Sequence, residues 1–132
     1  MSLSALATAL SGMKAAGRRL EVSASNIANA RTTGPLPTDG GGTTAYRALD
    51  LRQTDTLGGG VATSVTERSP AYVAQADPGS PFADGNGLVA APNVDLTGET
   101  VDLVGAKLAY GASAVVLKVD EEMSKHLLDT FV

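Results

Sequence analysis

The chain contains no cysteine and no tryptophan, one histidine, and only 4% aromatic residues in 132. Without cysteine there is no disulfide framework, no thiolate nucleophile and no Cys-ligated metal. That absence suits an oxidising compartment. Scarce aromatics mean a thin core, because such side chains supply much of a domain's buried area. Fifteen glycines loosen the chain further. The length allows one modest domain, expected to be weakly stable alone and to gain order on assembly. Formal net charge is −4, and of the ten basic residues only Arg18 and Arg19 are adjacent. No basic stripe of the kind nucleic acid requires is present, so nucleic acid is not an expected partner. No apolar run approaches the roughly 20 residues of a membrane span, so no direct span is expected; Ala114–Leu117 is typical of the longest. The first cation is Lys14, and Ser and Thr interrupt the apolar residues before it. That is not the pattern of a cleavable secretory signal, and any exit from the cytoplasm calls for another route.

What the chain does have is a long amphipathic stretch at each end. Leu3, Leu6, Leu10, Met13, Gly17, Leu20, Ala24 and Ile27 step by alternating threes and fours, the spacing of a left-handed coiled-coil seam. It predicts a helix from Leu3 to about Ala30, capped by Ser2 or Ser4 and about 40 Å long. Small residues on one edge allow close approach of a partner. Lys14, Arg18, Arg19 and Glu21 lie mostly off the stripe. Thr32-Thr33-Gly34-Pro35 ends the helix, with Gly34 suited to a left-handed backbone. At the other end, Val101, Val104, Leu108, Ala112, Val115, Val119, Met123 and Leu127 form one stripe, and Leu103, Tyr110, Ala114, Leu117 and Leu128 a second, offset one. A helix apolar on two sides wants two partners: the N-terminal helix and a neighbouring subunit. Asn93, Asp95 or Thr97 can cap it, and Asp95, Glu99 and Asp102 complement its positive end.

Between the helices the signals are weaker. Residues 36–44, with Gly40-Gly41-Gly42, read as a loop. Tyr46–Gln53, Val61–Glu67 and Ala71–Gln75 read as short strands, the second by its period-two alternation. Gly58-Gly59-Gly60, Asp77-Pro78-Gly79 and Asp84-Gly85-Asn86-Gly87 are turn clusters. The expectation is a mainly α fold: long terminal helices paired as an antiparallel or coiled-coil-like core, with a small antiparallel β patch between them that depends on the helices for stability. The segments are 1–34, 35–92 and 93–132.

Chemistry is poorly provided for. His126 has Glu122 one turn before it but no nucleophile placed by sequence, and reads as a solvated helix residue. The Gly-rich runs lack the Lys-Ser or Lys-Thr of a phosphate loop. Asp84–Gly87 lacks the later ligands of a calcium loop and reads as a turn. Glu121 and Glu122 read as a hydrated helix surface. No catalytic residue, cofactor or metal is expected.

The residues become specific at Leu10–Gly34, LSGMKAAGRRLEVSASNIANARTTG. This stretch resembles the N-terminal signature of the bacterial flagellar axial proteins, the rod, hook and hook-associated subunits. Asn26, Ile27, Ala28, Asn29, Ala30, Thr32, Thr33 and Gly34 match its Asn-Ile-Ala-Asn-Ala and Thr-Thr-Gly run. Asparagine amides there can bond backbone groups where the helix unwinds. Asp77–Leu96 is similar to the segment before the last helix of a short proximal rod subunit in that family. Pro78, Gly79, Asp84, Asn86, Gly87, Val89, Pro92, Asn93 and Val94 fit in order. Pro35 departs from an aromatic common at that place. Gly98, Gly105 and Gly111 depart from better helix formers or a larger polar residue.

The resemblance implies a structural rod subunit, not an enzyme, in the periplasmic part of the flagellar basal body. Its partners would be copies of itself, other rod proteins and the flagellar type III export apparatus. It would assemble helically and pass motor torque to the distal rod and hook. Another rod subunit of the family, or a soluble export-associated binding protein, is the alternative. The residues expected to pack helices and subunits are Leu3, Leu6, Leu10, Met13, Leu20, Ile27, Val101, Val104, Leu108, Tyr110, Val115, Leu117, Val119, Met123, Leu127 and Leu128.

Overall fold

The computed structural model describes residues 3–37 and 45–130. Ser2 and the Gly40–Gly42 loop lie outside the described residues, as do the side chains of Leu3 and Ser4. Helix α1 spans Leu3–Asn29, and helix α2 spans Leu96–Thr130. Four strands lie between them: β1 Leu49–Asp55, β2 Val61–Glu67, β3 Tyr72–Ala76 and β4 Leu88–Pro92. They form two two-stranded sheets, β1–β2 and β3–β4, rather than one patch. β3 and β4 are antiparallel, from Tyr72 opposite Pro92 to Ala76 opposite Leu88.

Two compact units result. The first takes residues 1–21 and 102–132 from the helical ends, with residues 51–64 of the β1–β2 hairpin. The second takes residues 22–50 and 65–101. The three sequence segments remain a description of element order.

In the first unit the contact face of α1 is made of small residues. Ala15 and Ala16 are buried, as is Ala106 on α2. A Cβ placed on Gly12 would lie 3.2 Å from Ser113 Oγ, so the backbones come close there. In the second unit α1 meets α2 again through Asn26 and Glu99. The hairpin turn packs on α1 by the same economy of volume. Gly58, Gly59 and Gly60 all have positive φ, which a Cβ would strain. Gly60 sits so close to Ser11 that an added Cβ would come within 2.5 Å of its Oγ. Ser11 Oγ accepts the Val61 N–H and donates to the Thr8 carbonyl.

The second unit is built around β4, whose Val89 and Ala90 are fully buried. One edge of β4 pairs with β3, and the other takes a bridge from Gly34. Gly34 and Ala90 exchange both backbone bonds, at 3.0 and 2.9 Å. This corrects the left-handed backbone expected of Gly34, which is absent from the positive-φ glycines. Side chains close the helix end instead: Asn29 Nδ2 donates to the Ser25 carbonyl, and Thr32 Oγ1 to that of Asn29. Gly34 is thereby released to lie extended and buried against β4. Strand β1 begins at Leu49, three residues later than expected, because Tyr46 is drawn to α1 by hydrogen bonds to Ser25 and Asn26. Asp95 is the cap of α2: its Oδ1 accepts the Thr97 N–H, and its carbonyl the Glu99 N–H. Among the described residues, the buried apolar side chains are alanines apart from Val22, Val89 and Pro92. Alanine gives little transfer energy per residue, so the chain relies on close backbone approach and polar bonds.

Candidate functional site

Two features stand out: a buried polar hub and the apolar helix faces left uncovered. The hub centres on Asn26, whose side chain is fully buried. Its Oδ1 accepts the Leu49 N–H at 3.0 Å and the Tyr46 hydroxyl at 3.0 Å. Its Nδ2 donates to the Leu49 carbonyl at 2.9 Å and to Glu99 Oε1 at 2.8 Å. All four bonds open to a carboxamide are made. Towards Leu49 the amide acts as a strand would, pairing with both backbone groups at the start of β1.

Glu99 Oε1 also accepts Arg68 Nη2 at 2.9 Å. Arg68 reaches Asp50 through Nε at 2.9 Å and the Asn93 carbonyl through Nη1 at 2.8 Å. Burial alone would weaken the charge on Arg68; the bonds to Asp50 and Glu99 overcome it and hold the guanidinium protonated more firmly than usual. Asn93 in turn donates through Nδ2 to the Pro70 carbonyl and through its backbone N–H to that of Ala71. The two sequence motifs thus meet in space: Asn26 from the first and Asn93 from the second are joined by Glu99 and Arg68. Among the described residues, every buried side-chain nitrogen and oxygen has a partner.

The hub was only half legible beforehand. The sequence offers Glu99 only as a charge for the helix dipole, whereas in the structure it is 5% exposed and paired with Arg68. Tyr46, Asp50 and Arg68 carried no signal, since nothing local ties Arg68 to a carboxylate 31 positions on. Of the remaining motif residues, Ala28 is exposed, Ala30, Thr33 and Val94 are half-buried, and Pro92 closes β4. Asp84 forms a turn: its Oδ1 accepts the backbone N–H groups of Asn86 and Leu88.

The expected packing stripes are not the faces that meet inside the chain. On α1, Leu6 and Leu10 are exposed, and Met13, Leu20 and Ile27 half-buried. On α2, Leu117 is half-buried, while Val101, Val104, Tyr110, Val115, Val119, Met123, Leu127 and Leu128 are exposed and Leu108 is 70% exposed. Among the described residues, Leu96–Asp129 is one helix long and apolar enough to cross a membrane by length and composition, with 6% of its apolar window buried. Its uninterrupted apolar runs stay short, because glycine, serine and a few charged residues break them up. The helix held by Asn26 and Asp95 therefore leaves a large apolar face uncovered in the single chain.

The comparisons with known proteins agree. Residues 6–35 match the family described as Flagella basal body rod protein. The chain is 38% identical to the flagellar basal-body rod protein FlgC of Salmonella typhimurium, over 86% of this chain and 85% of that one. It is 39% identical to FlgC of Yersinia enterocolitica, with the same coverage. To FlgC of Agrobacterium fabrum it is 33% identical, over 90% of this chain and 87% of that one. Two helices with uncovered apolar stripes and this signature define a flagellar basal-body rod protein. Within that class the chain belongs to the FlgC family, and its role is that of a structural rod subunit.

Proposed function

We propose that this subunit assembles helically through α1 and α2, and that motor torque crosses the rod through those packed helices to the distal rod and hook. The observation carrying the reading is the exposed stripe of α2, from Val101 to Leu127. A soluble monomer would not keep such a face in water. Neighbours that cover it are copies of this chain and other rod proteins. Its place is the periplasmic part of the basal body, which it reaches through the flagellar type III export apparatus. A core of alanines and polar bonds suits this route, since a marginal fold is easily threaded open and is stabilised afterwards by its neighbours. The role is mechanical and not enzymatic.

Deletion of the gene tests the reading. Flagella should then stop at the rod, and the tagged chain should co-purify with basal bodies when restored. Motile cells with normal filaments after clean deletion would refute it.

A further inference from the structure

The first unit contains a second uncovered surface, distinct from the α2 stripe. It is a groove of about 630 Å³ on α1, walled by Thr63 of β2 and Tyr110 of α2. Its floor has a specific geometry. Leu10, Met13, Lys14 and Gly17 stand at i, i+3, i+4 and i+7, and Lys14, Gly17, Arg18 and Glu21 repeat that spacing one turn on. Four residues so spaced form the hole that receives a side chain from a facing helix. The groove is therefore two consecutive holes sharing Lys14 and Gly17. A Cβ at Gly17 would meet nothing within 4 Å, so the centre of the site is open.

We propose that this groove receives the last described turns of α2 from a second copy of the chain. The inference rests on the rod-subunit reading and adds which surfaces meet. A helix filling consecutive holes must carry apolar knobs one turn apart. Val119, Met123 and Leu127 stand four residues apart, and every residue from 121 to 129 is exposed. Charge matches as well. The rim carries Lys14 and Arg18 against Glu21, whereas residues 118–129 hold four acids (Asp120, Glu121, Glu122, Asp129) and two lysines. Glu121 and Glu122 already hold Lys125 and Lys118, at 2.7 and 3.8 Å. Those pairs are exposed, and exposed pairs change partners at little cost. The same chain cannot fill its own groove, because α2 runs as one helix from Leu96 to Thr130 and Tyr110 is fixed in the wall. Groove and tail are different surfaces, so the contact is heterologous and propagates from copy to copy.

Gly17→Leu puts a bulky side chain where the two holes meet. In a flagellated strain lacking its own copy, the full-length variant should fold as stably as the parent or more so, yet enter basal bodies at least tenfold less. Normal incorporation overturns the proposal. A second arm uses the absence of cysteine. A chain carrying Arg18→Cys and Glu122→Cys, cross-linked in isolated basal bodies with a short bis-maleimide, should give a ladder of this chain. Cross-links only to a different rod protein, or none, overturn the choice of occupant. Lys14→Glu with Arg18→Glu should lower incorporation several-fold, and adding Glu121→Lys with Glu122→Lys should restore it; no restoration counts against the pairing. If Leu20→Asp blocks incorporation while Gly17→Leu does not, the rod reading survives and the groove falls. A chain absent from basal bodies altogether sinks the reading beneath it.

Discussion

At the scale of single residues, Asn26 holds more of this structure than any leucine. Replacing it by alanine removes four hydrogen bonds and leaves the Leu49 N–H and carbonyl without their partner. Each buried group so stranded costs about 1–3 kcal/mol. Asn26→Ala should lose about 3 kcal/mol in urea unfolding of the purified subunit, a large share of an ordinary domain's stability. Asp84 acts through charge at the surface. The Leu88 N–H, then that of Asn86, hold its carboxyl below the usual carboxylate range. A group with a lowered folded pKa stabilises above its unfolded pKa and loses that contribution as pH falls through the folded one. The parent should therefore melt above Asp84→Asn at pH 7, and the gap should close below about pH 4. A gap independent of pH would mean that the charge is not what matters there.

At the scale of elements, each helix divides its surface between two uses. In the first unit the buried side of α1 is Ala15 and Ala16, with Gly12 close to Ser113 of α2, and in the second unit Ser23 and Asn26 are buried and Asn26 bonds Glu99. The leucine face stays exposed or half-buried. Leu20→Asp or Ile27→Asp puts a charge where a partner must seat. Either should block incorporation into basal bodies while leaving export intact, as judged by secreted protein and by rod fractions. The hairpin turn is tied to α1 by contact rather than by sequence pattern. Gly60→Ala sets a Cβ on a φ of +93° and drives it against Ser11 Oγ, which is held by Thr8 and Val61. The cost should be about 2 kcal/mol in denaturant unfolding, and Gly17→Ala, where space is open, should show none of it.

At the scale of the whole molecule, stability is spread unevenly. The second unit has the hub and the β3–β4 sheet with its Gly34 bridge. Residues 121–129 of α2 are exposed throughout, and Glu121 and Lys125 pair on that open surface. Local opening follows such differences. In the free subunit, amide hydrogens of the last α2 turns should exchange fastest, and those of Leu49 and Ala90 slowest. In isolated basal bodies the α2 amides should become protected, because neighbours bind only the folded form. Unchanged exchange on assembly would show that α2 is not the surface that assembles.

The terminal helices, their lengths and β2 were legible because periodicity of 3.5 and of 2 is a local property, written in adjacent residues. So was the family, through Asn26–Gly34 and Pro92–Val94. The inward face of α1 was not. Its alanines give no hydrophobic contrast, so the leucine stripe dominates any reading of pattern, although what a pair of helices buries depends on how closely they approach. Arg68, Glu99, Asp50 and Tyr46 were invisible as a group because bonds between distant positions leave no trace in spacing. Sequence by itself determined where the chain is helical, where it turns and to which family it belongs, since those follow from neighbours along the chain. Only the tertiary structure decided which face of each helix is spent inside the molecule and which is left uncovered. That choice is made by volume and hydrogen bonding across space.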